Sequence, residues 1–181
     1  MAIGTSTRTQ NDSSYATLKE TFGYTNKLQA PKMVKVVVAT GTGKIKDKKK
    51  IEIIQDRLAK ITGQKSAPRG AKKSIATFKV RQGDIIGYQI TLRGARMYAF
   101  LDKLVHIALP RSRDFRGISP KVIDAMGNMS IGIKEQTIFP ETSDENLSDV
   151  FGLAITLVST AKNKKEAEAF YRHIGVPLQE N

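Results

Sequence analysis

The sequence predicts an α+β fold: a largely antiparallel sheet with helices packed on one face, the other face and the loops left open. Three observations lead there. Short β-branched or alternating runs fill the middle of the chain. Apolar stripes at spacings of three and four mark helices near both ends and between the strands. The helices are too few to cover a sheet on both sides.

In chain order, residues 1–11 are rich in Ser, Thr, Asn and Gln, which predicts a flexible polar tail, with residues 12–181 as a single domain. Asp12 or Ser13 is the expected cap of a short helix whose apolar face is Tyr15, Leu18 and Phe22, and Gly23 ends it. Pro31 precedes a β-branched strand over residues 33–39, and Thr40-Gly41-Thr42-Gly43 reads as the turn after it. Asp47 caps the next helix, where Ile51, Ile54, Leu58 and Ile61 form one stripe and Gly63 is the stop. Lys48, Lys49 and Lys50 stand in its first turn. Cations oppose the helix dipole there, so these lysines are expected to serve binding rather than stability.

Residues 74–81 and 85–92 both alternate, which predicts a hairpin joined through Gln82-Gly83-Asp84. Met97, Phe100, Leu101, Leu104, Val105 and Ala108 make a third helix that Pro110 terminates. Strand-like runs follow at residues 130–133, 136–139 and 153–160. Asn163 with Glu166 imitates a capping box before a last helix bearing Ala167, Phe170 and Ile174, stopped by Gly175 and Pro177.

The charge points to a polyanionic partner. The 181 residues carry 30 Lys and Arg against 17 Asp and Glu, a net charge of +13 that repels itself unless something negative balances it. Nucleic acid is the leading candidate and an anionic membrane surface the second. No apolar run reaches the ~18 residues needed to cross a bilayer, and residues 1–14 hold no apolar stretch of the kind a secretory signal needs. From residue 57 to residue 83 there is no acidic residue, while Arg57, Lys60, Lys65, Arg69, Lys72, Lys73, Lys79 and Arg81 all fall there. A solvated helix face mixes both signs; a one-sign block suits a surface that tracks phosphates. Lys44, Lys46, Lys48, Lys49 and Lys50 form a second cluster. Acid gathers instead at Glu141, Asp144, Glu145 and Asp149, which by itself reads as a solvated loop.

Catalytic signatures are missing. Gly41-Thr42-Gly43-Lys44 invites a phosphate-loop reading, but the first glycine stands at the wrong distance and Ile45 occupies the place of the magnesium-binding hydroxyl. Backbone N–H groups of that turn can still hold an RNA phosphate. His106 and His173 stand alone, without a partner at metal-ligand spacing, and read as packing residues. There is no Gly-x-Ser-x-Gly elbow, and there are no cysteines, so disulfides and thiolate metal sites are excluded. The chain is therefore expected to be no enzyme and to need no metal or cofactor. Phe78, Tyr88, Phe115 and Phe139 are assigned to the core and there is no Trp, so phosphate contact and shape are expected to outweigh base stacking.

Several segments follow one another in a specific order. They are Ile61-Thr62-Gly63-Gln64-Lys65, Lys72-Lys73-Ser74, Phe78-Lys79-Val80-Arg81-Gln82-Gly83 and Thr91-Leu92-Arg93-Gly94. Then come Leu109-Pro110-Arg111-Ser112-Arg113-Asp114-Phe115-Arg116-Gly117, Gly127-Asn128, Glu135-Gln136 and Ile138-Phe139-Pro140-Glu141. Over residues 15–177 this closely resembles the bacterial large-subunit ribosomal protein L-five family.

The resemblance implies a monomer within the cytoplasmic ribosome that binds 5S rRNA, attaches it in the central protuberance beside 23S rRNA and other proteins there, and has no membrane partner. By the same resemblance, Lys35, Thr40, Gly41, Thr42, Lys44, Thr62, Gly63, Gln64, Lys65 and Arg93 are expected toward 5S rRNA. Arg69, Lys72, Lys73 and Ser74, supported by Lys79 and Arg81, are expected to reach the elbow of the P-site tRNA. Glu141, Asp144, Glu145 and Asp149 become an expected contact with a basic small-subunit head protein.

Two positions depart from the family pattern. Ala39-Thr40 stands where Asn-Met is usual, and Ala39 has no side-chain hydrogen bond to give. Lys72 stands where Arg is usual, keeping the charge and losing the planar fork. Two rival readings share the charge: a general RNA binder or chaperone without 5S specificity, and an RNA-modifying enzyme. The first ignores RNA shape; the second needs a catalytic constellation.

Overall fold

The structure is a computed structural model that describes residues 6–45, 47–113, 115–142 and 150–179. The elements are α1 (Thr7–Phe22), β1 (Met33–Gly41), α2 (Lys48–Thr62), β2 (Ala67–Gly70), β3 (Ile85–Leu92), α3 (Gly94–Lys103), β4 (Met129–Ile133), β5 (Leu153–Ser159) and α4 (Lys164–His173). The strands form one antiparallel sheet in the order β2-β3-β1-β5-β4, so the fold is α+β as the sequence predicts. β3 inserts between β1 and β2, which α2 connects: a split β-α-β arrangement. The chain folds into two compact units, one of residues 1–36, 93–131 and 156–181, the other of residues 37–92 and 132–155.

In the first unit, α1 begins earlier than its sequence suggests. Part of the expected polar tail is helical, and the cap is Ser6 rather than Asp12 or Ser13. The reason is a buried stripe that is mostly polar: Thr7, Asn11, Ser14 and Leu18. Asn11 Oδ1 accepts from the Met33 N–H at 2.9 Å, and Ser14 Oγ donates to the Pro31 carbonyl at 3.1 Å. Asp102 of α3 accepts from the Thr7 N–H at 2.8 Å and the Ser6 hydroxyl at 3.1 Å, an anion at the positive end of the helix. Gly23 ends α1 with φ 67, where an L side chain is strained. The apolar stripe of α3 is buried as expected and continues through a π-helical turn, Leu104–Ala108.

Asn163 caps α4, accepting from the Glu166 N–H at 2.9 Å. Glu166 is itself buried, and its carboxylate accepts from the Lys162 N–H at 2.7 Å and from the Tyr24 hydroxyl, so the buried charge is hydrogen-bonded. Ala167, Phe170 and Ile174 enter the core together with Tyr171, whose hydroxyl lies 3.0 Å from the Gly127 carbonyl and 3.1 Å from that of Leu157.

In the second unit, α2 is capped by Asp47, which accepts from the Lys49 N–H at 3.0 Å. Ile54, Leu58 and Ile61 are buried, each contributing about 1.5–3 kcal/mol. The hairpin expected between residues 74–81 and 85–92 is absent. The partner of β3 is β2, paired with Ala67 opposite Gln89 and Arg69 opposite Gly87, with an irregularity after Arg69. Residues 74–81 instead hold a 3₁₀ turn, Ala76–Phe78, closed by an isolated bridge between Ile75 and Val80. Ile75 is the extended residue just before the turn, and Phe78 its last residue; both line the same groove. Lys79 then takes φ 52, which no strand continues through. Likewise, the run at residues 136–139 is not a strand but a 3₁₀ turn, Gln136–Ile138. The buried Gln136 side chain accepts from the Phe151 N–H at 2.7 Å there.

β1 runs on through Thr40 and Gly41, which the sequence places in a turn. Its end lies so close to β3 that a β-carbon on Gly87 would stand 2.6 Å from the Thr40 carbonyl oxygen. Gly87→Ala is expected to destabilise the protein by about 1–3 kcal/mol through overpacking, measured as a lower denaturant midpoint. A second expectation concerns alkali. Burial pushes the Tyr171 hydroxyl up to about 12 from its usual 10.0. Between those values the unfolded chain has lost a proton that the folded chain keeps, so stability falls as pH rises. Tyr171→Phe should lessen that loss in unfolding experiments carried out between the two pH values, the remainder coming from Tyr24 and Tyr98, which burial also raises.

Candidate RNA interface

The acid-free block of residues 57–83 spans α2's second half, β2 and the excursion before β3, all in the second unit. Most of its cations are exposed, as phosphate contact requires: Lys65, Arg69, Lys72, Lys73, Lys79 and Arg81. Two of the eight serve the fold instead. Arg57 is buried, and Lys60 pairs with Asp56 of the same helix at 2.9 Å.

The residues expected toward 5S rRNA are strung along the strands rather than gathered in one cluster. Thr40 is buried and its hydroxyl donates to the Gly152 carbonyl at 2.9 Å, so its side chain is committed to the fold. Thr42 is 2% exposed; its N–H donates to the Ile86 carbonyl at 2.9 Å, while its hydroxyl has no hydrogen-bond partner among the described residues. Gly41 and Lys44 are exposed beside it. The Thr62 hydroxyl donates to the Leu58 carbonyl at 2.6 Å, and Gly63, with φ 69, closes α2 through its N–H on the Ala59 carbonyl. That closure turns the chain so that Gln64 reaches the Thr91 carbonyl of β3 at 3.4 Å, with Lys65 exposed next to it. Gly87 and Thr91 are four residues apart on β3, about 13 Å at the usual rise, so the Thr40–Thr42 end and the Gln64 end lie at separate places along the strand. Lys35, half-buried on β1, and Arg93, exposed just before α3, belong to the first unit.

The residues expected toward tRNA sit on a built excursion. Its base is tied by the Ala71 N–H on the Asp84 carbonyl at 2.8 Å and the Gly83 N–H on the Ala71 carbonyl at 3.0 Å. Ser74 is used internally, accepting from the Gln82 N–H at 3.0 Å, and Asp84 accepts from the Arg81 N–H at 2.7 Å. Arg69 lies on β2 and donates from Nε to the Gln89 side chain at 2.8 Å. Its guanidinium is thereby held against β3.

An open groove of about 830 Å³ lies between the ends of β1 and β2 and this excursion. The sequence did not announce it. Of the aromatics assigned to the core, Tyr88 and Phe139 are buried and Phe115 half-buried, but Phe78 is 69% exposed at the groove. The three-residue spacing of Ile75 and Phe78 was the available signal.

Of the expected protein contact, Glu141 is exposed in the 3₁₀ turn Pro140–Thr142, and Asp144, Glu145 and Asp149 lie outside the described residues. Lys46 and Asp114 also lie outside them. His106 is exposed, and His173 Nε2 lies 2.7 Å from the Gln10 carbonyl, tying α4 to α1.

Two family models match the chain: one described as ribosomal protein L5 over residues 26–81, the other as the C-terminus of the same ribosomal family over residues 85–178. The large ribosomal subunit protein uL5 of Anaeromyxobacter sp. (strain K) is 49% identical over 166 residues, 91% of this chain and 92% of its own length. Those of Flavobacterium johnsoniae and Microcystis aeruginosa are 48% identical over 165 residues and 47% over 163. They cover 91% and 90% of this chain, and 90% and 91% of their own lengths. The chain belongs to the ribosomal protein L5 family, structural proteins of the large ribosomal subunit rather than enzymes.

Proposed function

We propose that this large-subunit ribosomal protein holds 5S rRNA in the central protuberance, touches the P-site tRNA through its basic excursion and bridges to a basic small-subunit protein through its acidic segment. Its setting is the cytoplasmic ribosome, with rRNA around it. The observation that carries the RNA reading is the acid-free block of residues 57–83, whose cations are mostly exposed on one compact unit. Lys and Arg there neutralise phosphates and release counterions. Glycine turns and the Gln64 amide add hydrogen bonds that set register.

The two groups of residues expected toward 5S rRNA are separated along β3, which favours a folded RNA over a flexible strand. A rigid partner meets both at once without losing the entropy that a floppy one must lose. This argues for the 5S reading over a general RNA chaperone. The bridge reading rests on charge alone: Glu141, Asp144, Glu145 and Asp149 are a local surplus of acid on a basic chain, repelled by RNA and attracted to a basic protein.

Lys72→Ala with Lys73→Ala is expected to leave 5S rRNA binding nearly intact and to weaken tRNA positioning, read by filter binding and by protection of the tRNA elbow in assembled ribosomes. Equal loss of both would refute the division of the two surfaces. Gln64→Ala is expected to cost about 1 kcal/mol in 5S rRNA affinity at fixed salt; an unchanged affinity removes Gln64 from the contact.

A further inference from the structure

The walls of the groove are apolar: Ile75, Phe78, Val80 and Ile86, with the bare backbone of Gly41, Gly43 and Gly70 between them. Lys44, Lys72 and Lys73 stand at its margin. We propose that it receives an unstacked base from a single-stranded stretch of RNA, stacked on Phe78, with the three lysines holding the flanking phosphates. The proposal rests on the reading of this unit as an RNA-binding surface and adds to it a base contact.

The chemistry selects this occupant. An apolar trough offers an inorganic ion nothing to bind, whereas the face of a base is flat and apolar and its edges are polar. Phe78 is 69% exposed, and the turn that carries it is closed by backbone hydrogen bonds between Ile75 and Val80. The ring is therefore not needed to hold the turn together and is presented outward. Stacking on such a ring is indifferent to base identity, since every base has a π-face. The volume, about 830 Å³, falls within the range of ~300–1,000 Å³ in which small ligands are held. A second copy of this chain is disfavoured by like charge, each copy carrying +13. A duplex keeps its bases stacked and offers the groove only phosphates and sugar edges.

The test is an NMR titration of the full chain, watching the Ile75 and Ile86 methyls and the Phe78 ring. One probe is the single-stranded tetranucleotide r(AAAA); the other is an abasic tetranucleotide with the same phosphates, at the same salt. The expected result is that r(AAAA) shifts the groove signals and binds about tenfold more tightly than the abasic strand. Phe78→Ala should bring r(AAAA) down to abasic affinity, and Phe78→Trp should restore it. Because Phe78 is exposed, its truncation should leave the Ile54 and Leu58 core signals in place. Equal binding of both strands to the wild-type chain would overturn the base contact and leave the RNA reading standing. So would groove signals that r(AAAA) leaves unmoved, or that an acidic amphipathic peptide moves in its place. Failure of r(AAAA) to bind at low salt would overturn the base contact; failure of 5S rRNA to bind under the same conditions would overturn the RNA reading on which it rests.

Discussion

At Gly87 the backbone of β3 runs against the Thr40 carbonyl, leaving no room for a side chain, and one residue away the Ile86 carbonyl accepts the Thr42 N–H. Much of the candidate interface hangs from this approach. It holds Gly41, Gly43 and Lys44 beside Ile86, and so sets one side of the groove. On the other edge of β3, the pairing of Arg69 with Gly87 fixes where β2 ends and where the basic excursion begins. The same approach separates two uses of polar residues. Thr40 is spent on the fold, while Gly41 and Lys44 stay exposed.

Electrostatics are arranged around this frame, not against it. A chain with a surplus of +13 must keep its cations apart or give them to a partner. Some are placed where carboxylates reach them, as with Lys60 and Asp56 or Arg172 and Glu168. Such exposed pairs contribute little stability. The cations of residues 65–81 are placed on the sheet edge and its excursion, where carboxylates of the same segment are absent. The first turn of α2 tells the same story: it has three lysines and no acidic residue, and Asp47 relieves the helix end through its cap. Stability has been conceded there in favour of positive charge facing outward.

The sequence was legible where periodicity and burial agreed. α2, α3 and α4, the strands β1, β3 and β5, and the caps Asp47 and Asn163 could all be read, because each rests on an apolar stripe or a local hydrogen bond. α1 was misread at its start because its buried stripe is Thr7, Asn11 and Ser14, which look like surface residues until Met33 and Pro31 supply their partners. β2 was missed because Ala67-Pro68-Arg69-Gly70 has no strand signal of its own; its pairing with β3 makes it one. The hairpin expected at residues 74–81 failed for the converse reason: the alternation was there, but residues 74–79 are exposed and bury neither face. Family membership was legible from segment order, whereas the groove at Phe78 was not, since exposure of an apolar residue is set by tertiary placement.

The central claim is that this protein grips a folded RNA by charge and shape together. It is tested most directly by measuring affinity for 5S rRNA and for a shuffled RNA of equal length across one series of salt concentrations. The account predicts steep salt dependence for both, with 5S rRNA bound more tightly throughout and the gap surviving at moderate ionic strength. Two curves that coincide, or a 5S affinity indifferent to salt, would contradict it.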